Sequence, residues 1–142
     1  MIGHLGGMSN HKGYEVLRSS IQGVDAQNLE LLIIDHSKGV EYIQKSQWGN
    51  CGVTFIGRQP QSLMVKVYQS IDVLMAVSIW PESFGLVSRE AVACGCWVVA
   101  SDIGGIGEDI EEGENGHRIK SGSVEELKKV ITKIATNPKK YK

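Results

Sequence analysis

The stretch "DVLMAVSIWPESFGLVSREAVACGCWVVAS", residues 72–101, is organised as strand, loop, helix and strand. Its two ends, 72–78 and 97–101, are nearly continuous apolar runs, which is typical of strands that are covered on both faces. Between them we expect a helix that begins near Phe84 and ends at Gly95, because glycine accepts the left-handed conformation of a helix C-cap. The stretch therefore predicts a strand–helix–strand unit, the repeating part of a parallel sheet.

The same kind of apolar run occurs earlier in the chain, at 2–6, 29–35 and 53–57. Ser123, with Glu126 three places later, predicts a reciprocal capping box at the start of the last helix. Apolar residues with helical spacing follow or separate these segments, at Met64, Val67, Tyr68 and Ile71 and at Leu127, Val130, Ile131 and Ile134. Alternating strands and helices of this kind predict a Rossmann-like, three-layer α/β/α domain with a parallel sheet and right-handed crossovers.

Length and composition limit the possible classes of protein. The 142 residues suffice for one domain, spanning 1–142, and 42% apolar with 22% charged residues is ordinary for a globular protein. A net charge of −1 gives no electrostatic case for a nucleic-acid partner. No apolar run approaches 18 residues, the length that spans a membrane. Cys51, Cys94 and Cys96 lack C-x-x-C spacing, which favours free thiols.

Three unusual loops are expected to meet at one edge of the sheet. In the common doubly wound order, the first predicted strand (2–6) and the fourth (72–78) are neighbours, and ligands bind beyond their carboxyl ends. The loops that follow are "GGMSNHKG" (6–13), "IWPESFG" (79–85) and, after the fifth strand, "DIGGIGED" (102–109). The crevice that they form is the predicted ligand site.

The first loop has the chemistry of a phosphate site. Gly6 and Gly7 allow the backbone to approach a ligand closely, and Lys12 stands at the start of a helix. A lysine there adds its charge to the partial positive charge of the exposed amides. A Gly-Gly turn and a surface lysine are common, however, so this loop alone does not establish a site.

The second loop points in the same direction. If Ser83 or Glu82 caps the helix, the amides of Phe84, Gly85 and Leu86 face the crevice, where an anion is favoured. Glu90 lies further along the same helix, on an apolar stripe, and burial of an unpaired carboxylate is costly. Either a salt bridge or a ligand could compensate for the charge of Glu90.

The spacing of the two glutamates limits their chemistry. Glu82 and Glu90 are eight residues apart, which corresponds to about 12 Å of helix. A pair of glycosidase carboxylates lies only about 5–9.5 Å apart, so these two are poorly placed to share one bond. They suit a long ligand with hydroxyl-rich ends and an anionic middle. A sugar nucleotide has this form, with a sugar, a diphosphate and a ribose.

These features together resemble the C-terminal, donor-binding domain of retaining glycosyltransferases with the GT-B fold (family 4, or glycosyl transferases group 1, type). The resemblance spans nearly the whole chain and keeps the family's order and spacing. It rests on "GGMSNHKG", "SIWPESFGLVSREAVACG", "WVVASDIGG" and "GENGHRI" (113–119).

The resemblance implies a role for individual residues. Lys12 matches the family's phosphate-binding lysine, and Glu82 matches the glutamate that contacts the donor sugar and is often given the catalytic role. Glu90 matches the glutamate that holds the ribose, and Arg58, after the third strand, lies where the base rests in similar enzymes. The diphosphate would be held by Gly6, Gly7, Ser83, Phe84, Gly85 and Leu86.

The resemblance also implies the substrates and the setting. The donor would be a UDP- or GDP-sugar, and a hexosyl group would pass to a saccharide or lipid-linked acceptor. No metal cofactor is expected, because helix amides and cationic side chains offset the charge of the leaving diphosphate. The implied location is cytoplasmic, with the full enzyme peripheral at the inner membrane face.

Two departures from the family pattern stand out. Many relatives have arginine where Gly7 stands, so either Lys12 acts more nearly alone or another cation, such as His11, helps it. The chain also begins at the first strand, with no preceding Rossmann domain for the acceptor. We therefore expect an excised domain or a natural fragment that needs a partner and does not transfer sugar alone.

Two other classes of function remain open. A dinucleotide-binding oxidoreductase would use Asp35, at the end of the second strand, to hold a ribose, but the first loop lacks G-x-G-x-x-G. A non-catalytic nucleotide- or partner-binding module would have the same fold, since fold alone does not fix function. In that case Glu82 and Glu90 would be surface or salt-bridge residues.

Overall fold

The computed structural model of the protein describes residues 1–5, 13–24, 29–77, 86–103 and 110–141. The strands within these ranges are β1 (Ile2–His4), β2 (Glu30–Asp35), β3 (Ile43–Trp48), β4 (Cys51–Gly57), β5 (Val73–Ala76), β6 (Trp97–Ser101) and β7 (Gly116–Ile119). The α-helices are α1 (Tyr14–Gln22), α2 (Met64–Ser70), α3 (Leu86–Ala93) and α4 (Val124–Thr136). Short 3₁₀ turns occupy Gln61–Leu63 and Pro138–Tyr141. In α3, side chains are described from Glu90 onward.

The strands form one sheet in the order β3-β4-β2-β1-β5-β6-β7. All neighbouring pairs are parallel except β3 and β4. The first and fourth predicted strands, now β1 and β5, are adjacent, with Ile2 opposite Val73. The predicted doubly wound order and Rossmann-like α/β class are therefore confirmed.

Two strands at the edges of the sheet have no apolar run in the sequence that would predict them. β3 pairs antiparallel with β4 through a turn at Gly49, where φ is 60°. Every residue of β3 except Trp48 is exposed, so the strand has no apolar run to reveal it. β7 is only four residues long and includes the polar pair His117–Arg118. The predicted parallel sheet thus carries one antiparallel pair, at the β3 edge.

Two apolar cores lie on the two faces of the sheet. Helices α1 and α4 pack against each other on one face, and α2 and α3 cover the other. Each fully buried leucine or isoleucine contributes about 1.5–3 kcal/mol to folding. The first core includes Leu17, Ile21, Leu31, Ile33, Leu127 and Ile131, and the second includes Leu32, Ile34, Tyr68, Leu74, Ala91 and Val98.

The end of α3 follows the predicted glycine C-cap. Gly95 has φ 85°, and its N–H donates to the carbonyl of Val92 at 3.0 Å. The next N–H, of Cys96, donates to the carbonyl of Ala91 at 2.9 Å. These two bonds form a Schellman motif, which satisfies the last carbonyls of the helix. The predicted end of this helix is confirmed.

The capping box of α4 is confirmed only in part. The Ser123 hydroxyl accepts a hydrogen bond from the Glu126 N–H at 3.2 Å, as predicted. The Glu126 carboxylate, however, accepts from the N–H of Lys120 at 3.3 Å. The N–H of Ser123 instead donates to the Lys120 carbonyl at 3.1 Å. A tight turn after β7 therefore replaces the reciprocal half of the box.

The three cysteines are free thiols, which confirms the prediction from their spacing. Burial raises the pKa of Cys51 and of Cys96 to about 11, so both are thiols at neutral pH. Across the described residues, no helix is both long and apolar enough to cross a membrane.

The chain leaves β1 and β5 in opposite directions. From β1 it continues through α1, on one face, to β2, and from β5 it continues through α3, on the other face, to β6. The winding therefore reverses between β1 and β5. Doubly wound proteins bind their ligands beyond the carboxyl ends of the strands at such a switch point.

Candidate functional site

Most residues of the predicted donor site lie outside the described residues. These are Gly6, Gly7, Lys12, Glu82, Ser83, Phe84 and Gly85. Leu86 is the first described residue of α3, although its side chain is not described, and the predicted helix start near Phe84 falls just before it. Arg58 and Glu90 are described in full, together with the residues that flank the first two loops.

The flanking residues of the first two loops are in contact. Gly13 comes directly after residues 6–12, and Val77 comes directly before residues 78–85. A Cβ atom on Gly13 would lie only 2.1 Å from the Val77 carbonyl oxygen, so the two backbones touch. Gly13 also has φ 86°, a conformation that side chains disfavour. The backbones that flank these two loops therefore meet at the switch point, and only glycine fits where they meet.

Glu90 lies on α3, the helix that follows the second loop, and is half-buried. It is four residues from Leu86, which corresponds to about 6 Å along the helix from its first described turn. Its Oε2 atom accepts a hydrogen bond from the Tyr68 hydroxyl at 2.7 Å. Among the described residues, the partner of Glu90 is therefore a neutral donor. The cation that the salt-bridge alternative required is not found there.

The environment of Tyr68 keeps its hydroxyl protonated. The residue is 2% exposed and belongs to the core between the sheet and the helices α2 and α3. Burial raises the pKa of Tyr68, and the hydrogen bond to the Glu90 carboxylate raises it further. The phenol is consequently a donor at all physiological pH values.

Arg58 follows β4 at the same edge of the sheet. Its N–H donates to the Lys38 carbonyl at 3.0 Å, and its side chain is exposed. The preceding residue, Gly57, packs so closely on the turn before β3 that a Cβ atom would lie 1.7 Å from the Gly39 carbonyl oxygen. β4 is two strands away from β1, or about 10 Å. The backbone of Arg58 is therefore fixed two strands away from β1.

The end of β2 is held by contacts that the sequence did not reveal. His36 donates from Nε2 to the Leu5 carbonyl at 2.8 Å and so ties this turn to the end of β1. Asp35 accepts from the hydroxyl of Ser37 at 2.6 Å and from its N–H at 3.0 Å. The Ser37 hydroxyl lowers the pKa of Asp35, and it outweighs the burial that raises it. The Asp35 carboxylate therefore holds its own turn, which weakens the oxidoreductase alternative.

A concavity lies beyond the carboxyl ends of β6 and β7. It is an open cleft of about 440 Å³, and its charged or hydroxyl-bearing lining residues are Asp102, Arg118, Lys120, Ser121 and Glu126. Arg118 is fixed there, because its Nε donates to the Ile110 carbonyl at 2.8 Å. The lining of the cleft carries charges of both signs.

The described residues contain no group of three or more histidine, cysteine or acidic side chains that could hold a metal ion. Two histidines lie within strands of the sheet. His4 lies in β1 and is buried. His117 lies in β7 between Glu112 and the Tyr141 hydroxyl.

The geometry describes a doubly wound α/β domain whose switch point lies between β1 and β5. Residues 1–142 match the family "Glycosyl transferases group 1", and the chain belongs to this family. The predicted family is therefore confirmed.

Two curated relatives show how much of such proteins the chain represents. It is 38% identical over 86 residues to the D-inositol 3-phosphate glycosyltransferase of Rhodococcus erythropolis, covering 61% of this chain and 19% of that protein. It is 32% identical over 130 residues to the phosphatidyl-myo-inositol mannosyltransferase of Mycobacterium leprae, covering 89% of this chain and 34% of that protein. The chain thus spans about a fifth to a third of the relatives' length.

Solved structures share the fold. Anabaena Alr3699/HepE, solved in complex with UDP and glucose, superposes with a TM-score of 0.77 and 23% identity. The superposition covers 99% of this chain and 40% of that one. Nearly the whole chain therefore corresponds in fold to less than half of that protein.

Proposed function

We propose that this chain is the donor-binding domain of a retaining hexosyltransferase. It would bind the diphosphate of a UDP- or GDP-sugar beyond the carboxyl ends of β1 and β5. The observation that carries the proposal is the contact of Gly13 with Val77, which joins the ends of the two loops bearing Lys12 and Glu82. Membership of the family and the names of the relatives support the reaction class.

Each part of the donor has a candidate group in this crevice. Lys12 and the amides of 84–86 would hold the diphosphate and stabilise the charge that develops as it leaves. Glu82 would contact the sugar at the reacting end, and Glu90 would accept hydrogen bonds from the ribose hydroxyls. Arg58 would contact the base. None of these contacts requires a metal cofactor.

The acceptor would bind mainly to a second domain. The chain corresponds in fold to 40% of Alr3699/HepE. Enzymes with the GT-B fold close two Rossmann-like domains on their substrates. We therefore expect this chain to bind nucleotide weakly and to transfer no sugar without its partner domain. A saccharide or a lipid-linked sugar is the proposed acceptor, with the full enzyme in the cytoplasm at the inner membrane face.

Calorimetric titration tests the donor site directly. UDP, GDP and ADP are titrated into the chain in metal-free buffer, and we expect one of them to bind. Lys12→Ala removes a charge-assisted phosphate contact worth about 1.5–3 kcal/mol, so affinity should fall about ten- to hundredfold. Lys66→Ala is the matched control, because Lys66 is exposed on α2.

The outcomes separate the proposal from its rivals. Binding of one nucleotide that is weakened by Lys12→Ala and unchanged by Lys66→Ala supports the donor site. Absence of binding, or equal binding by both variants and the unchanged chain, refutes it and favours a module that only shares the fold. A response to NADH alone would instead favour an oxidoreductase. Sugar transfer by the unaccompanied chain would contradict the expected need for a partner domain.

A further inference from the structure

Glu90 is held by a residue outside the motifs on which the family resemblance rests. Tyr68 lies on α2, 22 residues earlier in the chain, and its hydroxyl donates to Glu90 Oε2 at 2.7 Å. The two residues meet because α2 and α3 contribute to the same core on one face of the sheet. The hydrogen bond therefore connects α3 to α2.

Tyr68 itself is fixed by the core. Its ring packs among apolar residues of β5, β6 and α3, including Leu74, Val98 and Ala91. Its carbonyl accepts hydrogen bonds from the Cys96 thiol at 3.1 Å and from the Ile71 N–H at 3.3 Å. Buried groups of the sheet and of the helices thus fix the position of the Tyr68 hydroxyl. It is a rigid donor rather than a surface group that can turn away.

A rigid donor of this kind changes what Glu90 can do. A glutamate side chain loses rotamer freedom when it binds a ligand, and that loss opposes binding. The Tyr68 hydroxyl occupies one carboxylate oxygen and restricts the side chain before any ligand arrives. A carboxylate has two oxygens and about four acceptor positions, so capacity remains for ribose hydroxyls.

We propose that Tyr68 is a positioning residue that orients the Glu90 carboxylate to accept hydrogen bonds from the ribose of the nucleotide. The inference rests on the proposed donor site and adds a specificity determinant to it. Tyr68 touches neither the sugar nor the diphosphate, so its effect should be confined to the ribose end of the ligand. This restriction makes the role measurable.

The test compares two nucleotides on matched variants. UDP and 2′-deoxy-UDP (or GDP and its deoxy form, if GDP binds) are titrated into the chain, Tyr68→Phe, Glu90→Gln and the double variant. Tyr68→Phe keeps the ring and removes only the hydroxyl. Its affinity for UDP should fall about three- to tenfold, as expected when a side chain must be ordered on binding. The deoxy nucleotide should lose less.

Tyr141→Phe is the matched control. Tyr141 is also a buried tyrosine, 3% exposed, and its hydroxyl is hydrogen-bonded to His117 at 2.9 Å. It belongs to the core on the opposite face of the sheet. Loss of stability alone should affect both variants, whereas a reduced preference for UDP over 2′-deoxy-UDP should appear only in Tyr68→Phe.

Three outcomes decide the proposal. A smaller UDP preference in Tyr68→Phe, with no further loss when Glu90→Gln is added, supports the positioning role. Unchanged UDP affinity in Tyr68→Phe, while Glu90→Gln weakens it, overturns the role and leaves the donor site intact. No nucleotide binding by the unchanged chain overturns the donor site itself, and with it the role of Tyr68.

A second variant keeps the test decisive if Tyr68→Phe does not fold. Glu90→Asp retains the charge but shortens the side chain by one methylene, which takes the carboxylate out of reach of the Tyr68 hydroxyl. We expect it to lose the UDP preference as Glu90→Gln does. Retention of the full preference in Glu90→Asp would contradict the need for a fixed carboxylate.

Discussion

A hydrogen bond connects the 3₁₀ turn Pro138–Tyr141 to the edge strand β7, and a single substitution can remove it. Tyr141 is 3% exposed, and its hydroxyl is 2.9 Å from Nε2 of His117, itself 5% exposed. Nδ1 of His117 faces the Glu112 carboxylate, which can only accept, so Nδ1 carries a proton. In the neutral imidazole, Nε2 is then the acceptor for the Tyr141 hydroxyl.

The structure indicates how much this bond stabilises the fold. Tyr141→Phe removes the donor and leaves a buried imidazole nitrogen without its partner, at a cost of about 1–3 kcal/mol. Tyr141→Ala also removes a ring that lies edge-on to Trp97 with centroids 4.9 Å apart. A buried aromatic side chain replaced by alanine costs about 3–5 kcal/mol. The alanine variant should therefore be the less stable of the two.

Urea and thermal unfolding measure both effects. In a domain of this size each kcal/mol lowers Tm by about 2–4 °C. Tyr42→Phe is the control, because its hydroxyl contacts Gln44 at the surface, and it should change the free energy of unfolding by less than about 0.5 kcal/mol. If Tyr141→Phe were as stable as Tyr42→Phe, the hydrogen bond to His117 would contribute nothing to the free energy of unfolding, which would refute the prediction.

Two further predictions concern the same edge. Burial raises the pKa of Glu112, but the Arg118 N–H and the His117 ring outweigh it and hold the pKa below its usual value. The resulting stability is present above the unfolded-state pKa of about 4.3 and is lost as pH falls through the folded value. Urea unfolding between pH 6 and pH 3 measures this effect. As pH decreases, the free energy of unfolding should fall more steeply for the unchanged chain than for Glu112→Gln, and equal slopes would refute the assignment. Gly116→Ala would place a Cβ atom 2.0 Å from the Val98 carbonyl oxygen, so thermal unfolding should show a loss of about 1–3 kcal/mol or more; a stability equal to that of the unchanged chain would contradict the close packing of β6 and β7.

The architecture was largely predictable because its central strands are covered on both faces. A strand buried by helices on each side has no polar alternation, so 29–35 and 97–101 stand out as apolar runs. The adjacency of β1 and β5 then follows from the winding rules of open α/β sheets. Edge strand β3 lacks this signature because water covers most of it, and its pairing with β4 depends on a turn at Gly49.

The site was predictable in kind but not in its contacts. Glycines, a lysine and two glutamates in three loops indicated an anionic, hydroxylated ligand. The hydroxyl that holds Glu90 could not be inferred, since Tyr68 counts in the sequence only as one apolar position of a helix. Likewise His36 shows no local pattern that links it to Leu5, 31 residues earlier.

The sequence by itself thus determined the alternation of strands and helices, the end of α3 at Gly95 and the kind of ligand that the loops suit. These properties depend on local periodicity and on the backbone preferences of single residues, which neighbouring positions in the chain already express. The tertiary structure alone decided that Gly13 contacts Val77 and that Tyr68 and Tyr141 form hydrogen bonds with Glu90 and His117. Such contacts arise where packed elements bring distant residues together, and no local pattern encodes that distance.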